Sequence, residues 1–266
     1  MYEALLASLP TGLATGLGAL PFVFVKQLPR RVYDGVLGLG AGLMLAAATL
    51  GLLAEAIAGV RTPAGLDFPR LGLVASGFLA GVVLAVIMDR LIPHGHARGH
   101  PQHIGHEVHD DHDHRPPPSS SKRRYLVVGA ISIHRLPEGL AIGAGFAAPD
   151  HRLGWLLAIA VGIQNVCEGI VMGAPLRQGG MSPARSLLVV SATGLMIPVG
   201  ALIGNALSEV AIAALPFVLA LAGGTLIYVT SNEIIPESHS HGHEGTASAG
   251  FITGFLLTML LDALIH

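Results

Sequence analysis

Long apolar segments alternate with short polar connections along this chain. Eight such segments are each roughly 17–25 residues long, the length of helix that crosses about 30 Å of hydrocarbon. They predict membrane-spanning helices at residues 4–25, 32–58, 71–92, 125–147, 153–176, 185–207, 211–235 and 248–265. No polar stretch is long enough to fold as a separate soluble domain, so we expect residues 1–266 to form a single transmembrane domain.

The composition agrees with an all-α polytopic membrane protein. Hydrophobic residues make up 52% of the 266 positions, the mean hydropathy is +0.63, and only 12% of the residues are charged. Soluble domains usually carry about 25% charged residues. The net charge of −2 gives no reason to expect a nucleic-acid partner, and the single cysteine, Cys167, excludes an internal disulfide. The partner that the composition predicts is the lipid bilayer.

The positions of Lys and Arg predict how the chain is oriented. With the N-terminus outside, the loops facing inside carry eleven of these residues and the outside loops carry three. Cytoplasmic loops of membrane proteins are enriched in positive charge. We therefore expect a multi-pass protein of the cell (inner) membrane, with both termini outside and the longest loop in the cytoplasm.

That longest loop, residues 93–124, is rich in histidine. It contains eight histidines interleaved with aspartates and followed by prolines and serines; the histidines are His94, His96, His100, His103, His106, His109, His112 and His114. Such a segment cannot bury a core and is predicted to be disordered. His-rich tracts bind metals weakly, although a solvated spacer is the alternative. A second His-rich loop, with His239, His241 and His243, falls on the same predicted side.

Two short polar interruptions lie inside the fourth and fifth apolar segments, at 132–139 and 162–169. Residues four apart in a helix share one face. This spacing pairs His134 with Glu138, and Gln164 with Glu168. Three-residue spacing pairs Arg135 with Glu138, and Asn165 with Glu168. Two adjacent helices would then present imidazole, carboxylate and amide groups to one cation.

The cost of placing charge in a membrane favours a functional role for these residues. An ionisable group at mid-bilayer costs roughly 2.5–3.5 kcal/mol on insertion scales, so it normally faces the bundle interior and has a function. The alternative is a buried ion pair between Arg135 and one glutamate, which would leave His134 and the second carboxylate unexplained. Imidazole together with carboxylates suits zinc and its neighbours better than calcium or magnesium. Gly139 and Gly169 would allow close helix packing beside the carboxylates.

The two interruptions read His-x-x-Pro-Glu-Gly and Gln-Asn-x-x-Glu-Gly, and they resemble the paired metal-site helices of ZIP transporters, the Zrt/Irt-like proteins. Further similarity covers residues 16–21, 34–48, 89–94 and 228–237. The resemblance implies eight helices in a 3+2+3 arrangement of inverted halves, and a homodimer. It implies uptake of Zn²⁺, or alternatively Cd²⁺, Fe²⁺, Mn²⁺ or Co²⁺, toward the cytoplasm by alternating access, without a catalytic cofactor.

The resemblance also implies roles for individual residues. The first metal position maps onto His134, Glu138, Gln164 and Glu168, with Met44 close by, although core packing is the alternative for an isolated methionine. Asn165 falls at a ligand position of a second metal. The exit route maps onto Glu233 and the histidines His94, His96, His239 and His241. Asp262, near the outer end of the last helix, is an entrance candidate.

The chain departs from the family pattern where many members bind the second metal. Arg135, Asn165 and Ile197 stand at those positions, and a guanidinium stays protonated and cannot ligate a metal. We hypothesise that Arg135 replaces the second cation and leaves a single-metal site. Two alternatives remain: a membrane metal sensor that does not transport, and an intramembrane metalloenzyme. The enzyme would need an open metal position and a general base, and the chain contains no His-Glu-x-x-His motif.

Overall fold

The computed structural model describes residues 1–25, 28–58, 60–62, 65–91, 135–147, 151–178, 180–210 and 214–265. The predicted His-rich loop at 93–124, with His94 and His96, lies outside these residues, and so does the predicted ligand His134.

The described chain is almost entirely helical. In chain order the α-helices are α1 (Tyr2–Ala19), α2 (Pro21–Phe24), α3 (Arg30–Ala46), α4 (Ala54–Ala58), α5 (Phe68–Leu91), α6 (135–147), α7 (Arg152–Gln178), α8 (Pro183–Thr193), α9 (Met196–Val210), α10 (Leu215–Val229), α11 (Ile235–Ser238) and α12 (Glu244–Ile265). Two π-helical segments, Ala47–Leu53 and Thr230–Ile234, interrupt longer helices. A short hairpin pairs β1 (Arg61–Thr62) antiparallel with β2 (Gly65–Leu66).

Seven helical stretches of the described chain are long and apolar enough to cross a membrane. They are Tyr2–Phe24, Arg30–Ala58, Phe68–Arg90, Arg152–Ala174, Pro183–Leu207, Leu215–Ser238 and Glu244–Leu264. The prediction of an all-α polytopic membrane protein is confirmed. Helix α6 covers the second half of the predicted fourth span, so the count of eight and the 3+2+3 arrangement stay predictions.

The helices pack in pairs whose backbones come close together. Helix α3 packs along α12, α5 along α10, and α1 along α7. A Cβ atom at Gly169 would strike the carbonyl oxygen of Thr15, and one at Gly139 would strike that of Ile197. Only glycine therefore allows α7 to approach α1, and α6 to approach α9, this closely. These contacts agree with the close packing that the sequence predicts at both glycines.

Burial separates central helices from peripheral ones. In the apolar stretch of Arg30–Ala58, 67% of the residues are buried inside the bundle. In that of Glu244–Leu264, 17% are buried. The main apolar cluster contains Met44, Leu52, Ile142, Leu157 and Leu219. Helix α3 thus lies inside the bundle, and most of α12 presents its apolar side chains outward, as expected where lipid is the solvent.

Contacts between helix ends identify which connections share a side of the bundle. Glu3 at the start of α1 contacts His151 just before α7, with 2.7 Å between Oε2 and Nδ1. Arg177 near the end of α7 donates to the carbonyl oxygen of Phe22 in α2 at 2.8 Å. Helices α1 and α7 therefore run in the same direction, as predicted for the first and fifth spans.

Candidate metal site within the helix bundle

Arg135, in the first turn of the described part of α6, is fully buried and bonded to two neighbouring helices. Its Nη1 donates to the hydroxyl of Thr15 in α1 at 2.5 Å and to Oδ1 of Asn165 in α7 at 3.1 Å. Its Nη2 donates to Oε2 of Glu168 at 2.7 Å and contacts the sulfur of Met172 at 3.8 Å. The guanidinium is thus fixed between α1 and α7.

Gln164 joins the two carboxylates that the sequence identifies. Its Nε2 donates to Oε1 of Glu138 at 2.8 Å and to Oε1 of Glu168 at 2.9 Å. Glu138 and Gln164 are almost completely buried, and the side chain of Glu168 is 16% exposed. The structure therefore brings Glu138 of α6 together with Gln164 and Glu168 of α7, which is the meeting of two helices that the spacing predicted.

Two oxygen atoms in this cluster have no hydrogen-bond partner among the described residues. They are Oε2 of Glu138 and Oε1 of Gln164, and both are buried. Leaving a buried acceptor without a partner costs roughly 1–3 kcal/mol, and more for a charged group. A carboxylate and an amide oxygen that are both desolvated and unpaired are suited to bind a cation. His134, the predicted imidazole ligand, lies outside the described residues.

Arg135 bonds to Asn165, at a predicted second-metal position, and to Glu168, a predicted ligand of the first metal. Asn165 accepts from Arg135 through Oδ1, and its Nδ2 donates to the carbonyl oxygen of Thr11 at 2.8 Å. Oε2 of Glu168 accepts from the same guanidinium. Arg135 bonds to Glu168 on the facing helix, whereas the three-residue spacing had paired it with Glu138.

Other predicted site residues lie in different surroundings. Met44 is 2% exposed and packs in the main apolar cluster. Glu233 lies on the π-helical segment Thr230–Ile234, and Asp262 lies near the end of α12; both are partly buried. His239 contacts the carbonyl oxygen of Ile235 through Nδ1 at 3.0 Å and Ser248 through Nε2 at 3.3 Å.

Sequence reasoning missed the residues of α1 that hold the cluster in place. Thr15 accepts from Arg135, and the carbonyl oxygen of Thr11 accepts from Asn165. The signal was available, because Ser8, Thr11 and Thr15 form a polar stripe with helical spacing in an otherwise apolar segment, and all three are buried. Such a stripe in a membrane helix marks the side that faces polar partners.

Together the fold and this cluster define a polytopic helical membrane protein that holds ionisable groups between its helices, which is the usual arrangement of an ion pathway. A family model described as ZIP Zinc transporter matches residues 2–262. The chain belongs to this family.

Similar proteins span nearly the whole chain. Zinc transporter GufA of Myxococcus xanthus is 39% identical over 264 residues, covering 98% of this chain and 98% of the relative. Zinc transporter ZIPB of Bordetella bronchiseptica is 38% identical, covering 94% and 77%. Human zinc transporter ZIP11 is 30% identical, covering 98% and 97%. The resemblance to ZIP proteins is confirmed, the class is that of divalent-metal transporters, and the prediction that the chain is not an enzyme is confirmed.

Proposed function

We propose that this protein moves zinc from outside the cell into the cytoplasm through one metal site between α6 and α7. The observation that carries the proposal is the pair of buried oxygens, Oε2 of Glu138 and Oε1 of Gln164, without partners among the described residues. Both belong to side chains that also contact Glu168 or each other, so one cation can be shared by all three. His134 supplies the imidazole that favours zinc over calcium or magnesium.

The second part of the proposal is that Arg135 takes the place of a second metal. Its guanidinium binds the carboxylate of Glu168 and the amide oxygen of Asn165. With both glutamates ionised, Arg135 leaves one negative charge in the cluster, where two carboxylates alone would leave two. A permanently protonated side chain cannot leave with the cargo, so this half of the site stays filled through the transport cycle.

Binding of the cation requires a local rearrangement of Gln164. Its amide N–H groups now lie between the two carboxylates. A dication at that place would repel these donors and attract the amide oxygen. We expect the Gln164 amide to turn, so that Oε1 joins Glu138 and Glu168 around the ion. Ligands must be deprotonated, so acidification is expected to weaken binding.

The permanent charge of Arg135 has an electrostatic consequence. It lies 2.7 Å from Oε2 of Glu168, which is also a predicted ligand, so it opposes any cation that binds the same carboxylate. We therefore expect modest metal affinity and rapid release. The predicted route passes from Asp262 to this site and on to Glu233, His94, His96, His239 and His241, in a homodimer of the inner membrane with both termini outside.

The proposal is tested by zinc flux into proteoliposomes. Glu138→Gln removes the charge and one ligand oxygen and should abolish zinc uptake. The matched control is Glu55→Gln, the same change at an exposed glutamate of α4, which should transport like the wild type. Uptake by Glu138→Gln at the wild-type rate would contradict the proposed site.

A sensor that binds metal without moving it is the second candidate, because the Arg135–Glu168 pair spans the space between α6 and α7. The same flux experiment separates the two functions. Stoichiometric zinc binding by the wild type with no flux would favour the sensor, and measurable flux would exclude it.

A further inference from the structure

Helices α1 and α8 lie against each other at the periphery of the bundle, where glycines let their backbones come close. A Cβ atom at Gly16 would strike Oγ of Ser191. One at Gly12 would strike the carbonyl oxygen of Gly194, directly after α8. Because the contact moves to lower residue numbers in α8 as the number rises in α1, the two helices are antiparallel. The end of α1 therefore lies beside the start of α8.

Exposed apolar side chains lie on both sides of this contact. Leu20 follows Gly16 by four residues and is 43% exposed, so it lies about one turn further along the same side of the helix. Leu188 precedes Ser191 by three residues and is 70% exposed, so it lies one turn from the same contact on α8. The two leucines form the walls of an outward-facing apolar groove, which we name the α1–α8 groove. Phe24, 89% exposed at the end of α2, continues the first wall.

Arginines stand at the end of this groove. Arg185, in the first turn of α8, is exposed and precedes Leu188 by three residues, which puts both on one face of the helix. Arg177, in the last turn of α7, donates from Nε to the carbonyl oxygen of Phe22 at 2.8 Å and from Nη1 to that of Met181 at 2.5 Å. Arg177 thus ties α2 to the turn before α8 and brings a second guanidinium to this end of the groove.

The chain segments around these arginines carry no negative charge. The sequence contains no Asp or Glu between Glu3 and Asp34, a stretch that includes most of α1 and all of α2. It contains none between Glu168 and Glu209, a stretch that includes the end of α7 and all of α8. Basic side chains at the membrane end of helices attract anionic lipids. An apolar groove that ends in positive charge therefore matches a lipid with a negatively charged headgroup.

We propose that the α1–α8 groove binds an anionic phospholipid, with the phosphate at Arg185 and one acyl chain between Leu20 and Leu188. A guanidinium can bind a phosphate through two parallel N–H donors. A zwitterionic lipid brings its own ammonium group to the headgroup region, so the positive charge of this end favours a lipid with net negative charge. Arg177 positions the site by holding α2 in place. This inference concerns recognition of lipid and does not rest on zinc transport.

The test adds phosphatidylglycerol, or phosphatidylcholine with the same acyl chains, to the full-length protein in detergent and counts the retained lipid by native mass spectrometry. The wild type should retain phosphatidylglycerol in preference. Arg185→Gln removes the charge and should weaken retention of phosphatidylglycerol by about fivefold, the effect expected of one basic residue beside anionic lipid. Retention of phosphatidylcholine should not change. Inorganic phosphate should not displace the lipid, because it lacks the acyl chain that fills the groove.

The matched control for the headgroup is Arg152→Gln, the same change at an exposed arginine in the first turn of α7, at the opposite end of that helix from Arg177. It should retain phosphatidylglycerol like the wild type. Leu188→Asn tests the acyl chain and should also lower retention. Its control is Leu260→Asn on α12, where the leucine is 51% exposed but lies outside the groove, and no loss is expected there.

Arg185 and Leu188 are both exposed, so Arg185→Gln and Leu188→Asn should melt at the wild-type temperature in detergent without lipid. Addition of phosphatidylglycerol should then raise the Tm of the wild type more than that of either variant. Equal retention of the two lipids by the wild type, equal losses in Arg185→Gln and Arg152→Gln, or displacement by inorganic phosphate would overturn the proposal. Since zinc flux is not measured, such a failure would leave the proposed transport function standing.

Discussion

The Arg135 network and the Asp34 cluster, which consists of Asp34 of α3 with His241 and His243 before α12, balance buried negative charge in different ways. Each buries carboxylate groups, and in each the charge has to be balanced by neighbouring side chains. In the interior, a guanidinium bonded to Thr15, Asn165 and Glu168 supplies a permanent positive charge. At the end of the bundle, the ion-pair partners of Asp34 among the described residues are the imidazoles of His241 and His243.

The two arrangements differ in whether the positive charge beside the carboxylate is permanent. A guanidinium is covalently tethered and stays protonated, so it fixes the charge of the half-site that it fills. An imidazole can be neutral or protonated, so the charge beside the Asp34 carboxylate is not fixed in the same way. The chain thus holds one buried carboxylate beside a permanent positive charge and another beside two imidazoles.

The largest loss of stability is expected when the guanidinium of Arg135 is removed. Arg135→Ala leaves Glu168 and Asn165 buried without their partner, and breaking a buried ion pair in this way usually costs about 3–5 kcal/mol. We expect a loss of that size in the free energy of unfolding, measured with denaturant in mixed micelles without zinc. Added zinc should restore much of it by taking the vacated position.

The control for this prediction is Arg185→Ala, at an exposed position in the first turn of α8, which should change stability little. The corresponding change in the Asp34 cluster, His241→Ala, should cost less than Arg135→Ala, because the partly exposed site admits water. An Arg135→Ala protein as stable as the wild type would mean that the guanidinium does not balance the glutamates.

A smaller loss of stability is expected when the hydrogen bond between α1 and Arg135 is removed. Thr15→Val keeps the shape of the side chain but removes the hydroxyl that accepts from Arg135. Hydrogen bonds to charged groups contribute about 1.5–3 kcal/mol, so a loss of stability in that range is expected in the same denaturant measurement.

The control is Thr253→Val on α12, where an exposed hydroxyl donates to the carbonyl oxygen of Ala249, one turn earlier in the helix. This substitution should have much less effect than Thr15→Val. Equal effects of the two changes would show that Thr15 has no special relation to Arg135.

Periodicity predicted those features that depend on residues close in sequence. Seven of the eight predicted apolar segments coincide with helical stretches that could cross a membrane, and four-residue spacing correctly put Gln164 against Glu168. Mean hydropathy and segment length suffice here, because a helix in lipid must satisfy its own backbone. The meeting of Glu138 with Gln164 followed from one further assumption, that consecutive polar interruptions face each other.

Contacts between distant residues were not predictable in the same way. A long arginine side chain can reach either its own helix or a neighbour, and only the packing of α6 against α7 directs Arg135 to Glu168. Asp34 and His241 are 207 positions apart, and no local pattern joins them.

The most direct test of the account is the number of metal ions between α6 and α7, counted by anomalous scattering from crystals grown with Zn²⁺ or Cd²⁺. The account predicts one ion in the wild type, in contact with Glu138, Gln164 and Glu168. It predicts two in Arg135→Asn, where an amide replaces the tethered charge. Two ions within bonding distance of Glu138 and Glu168 in the wild type, with Arg135 displaced, would contradict the claim that this residue stands in for a second cation.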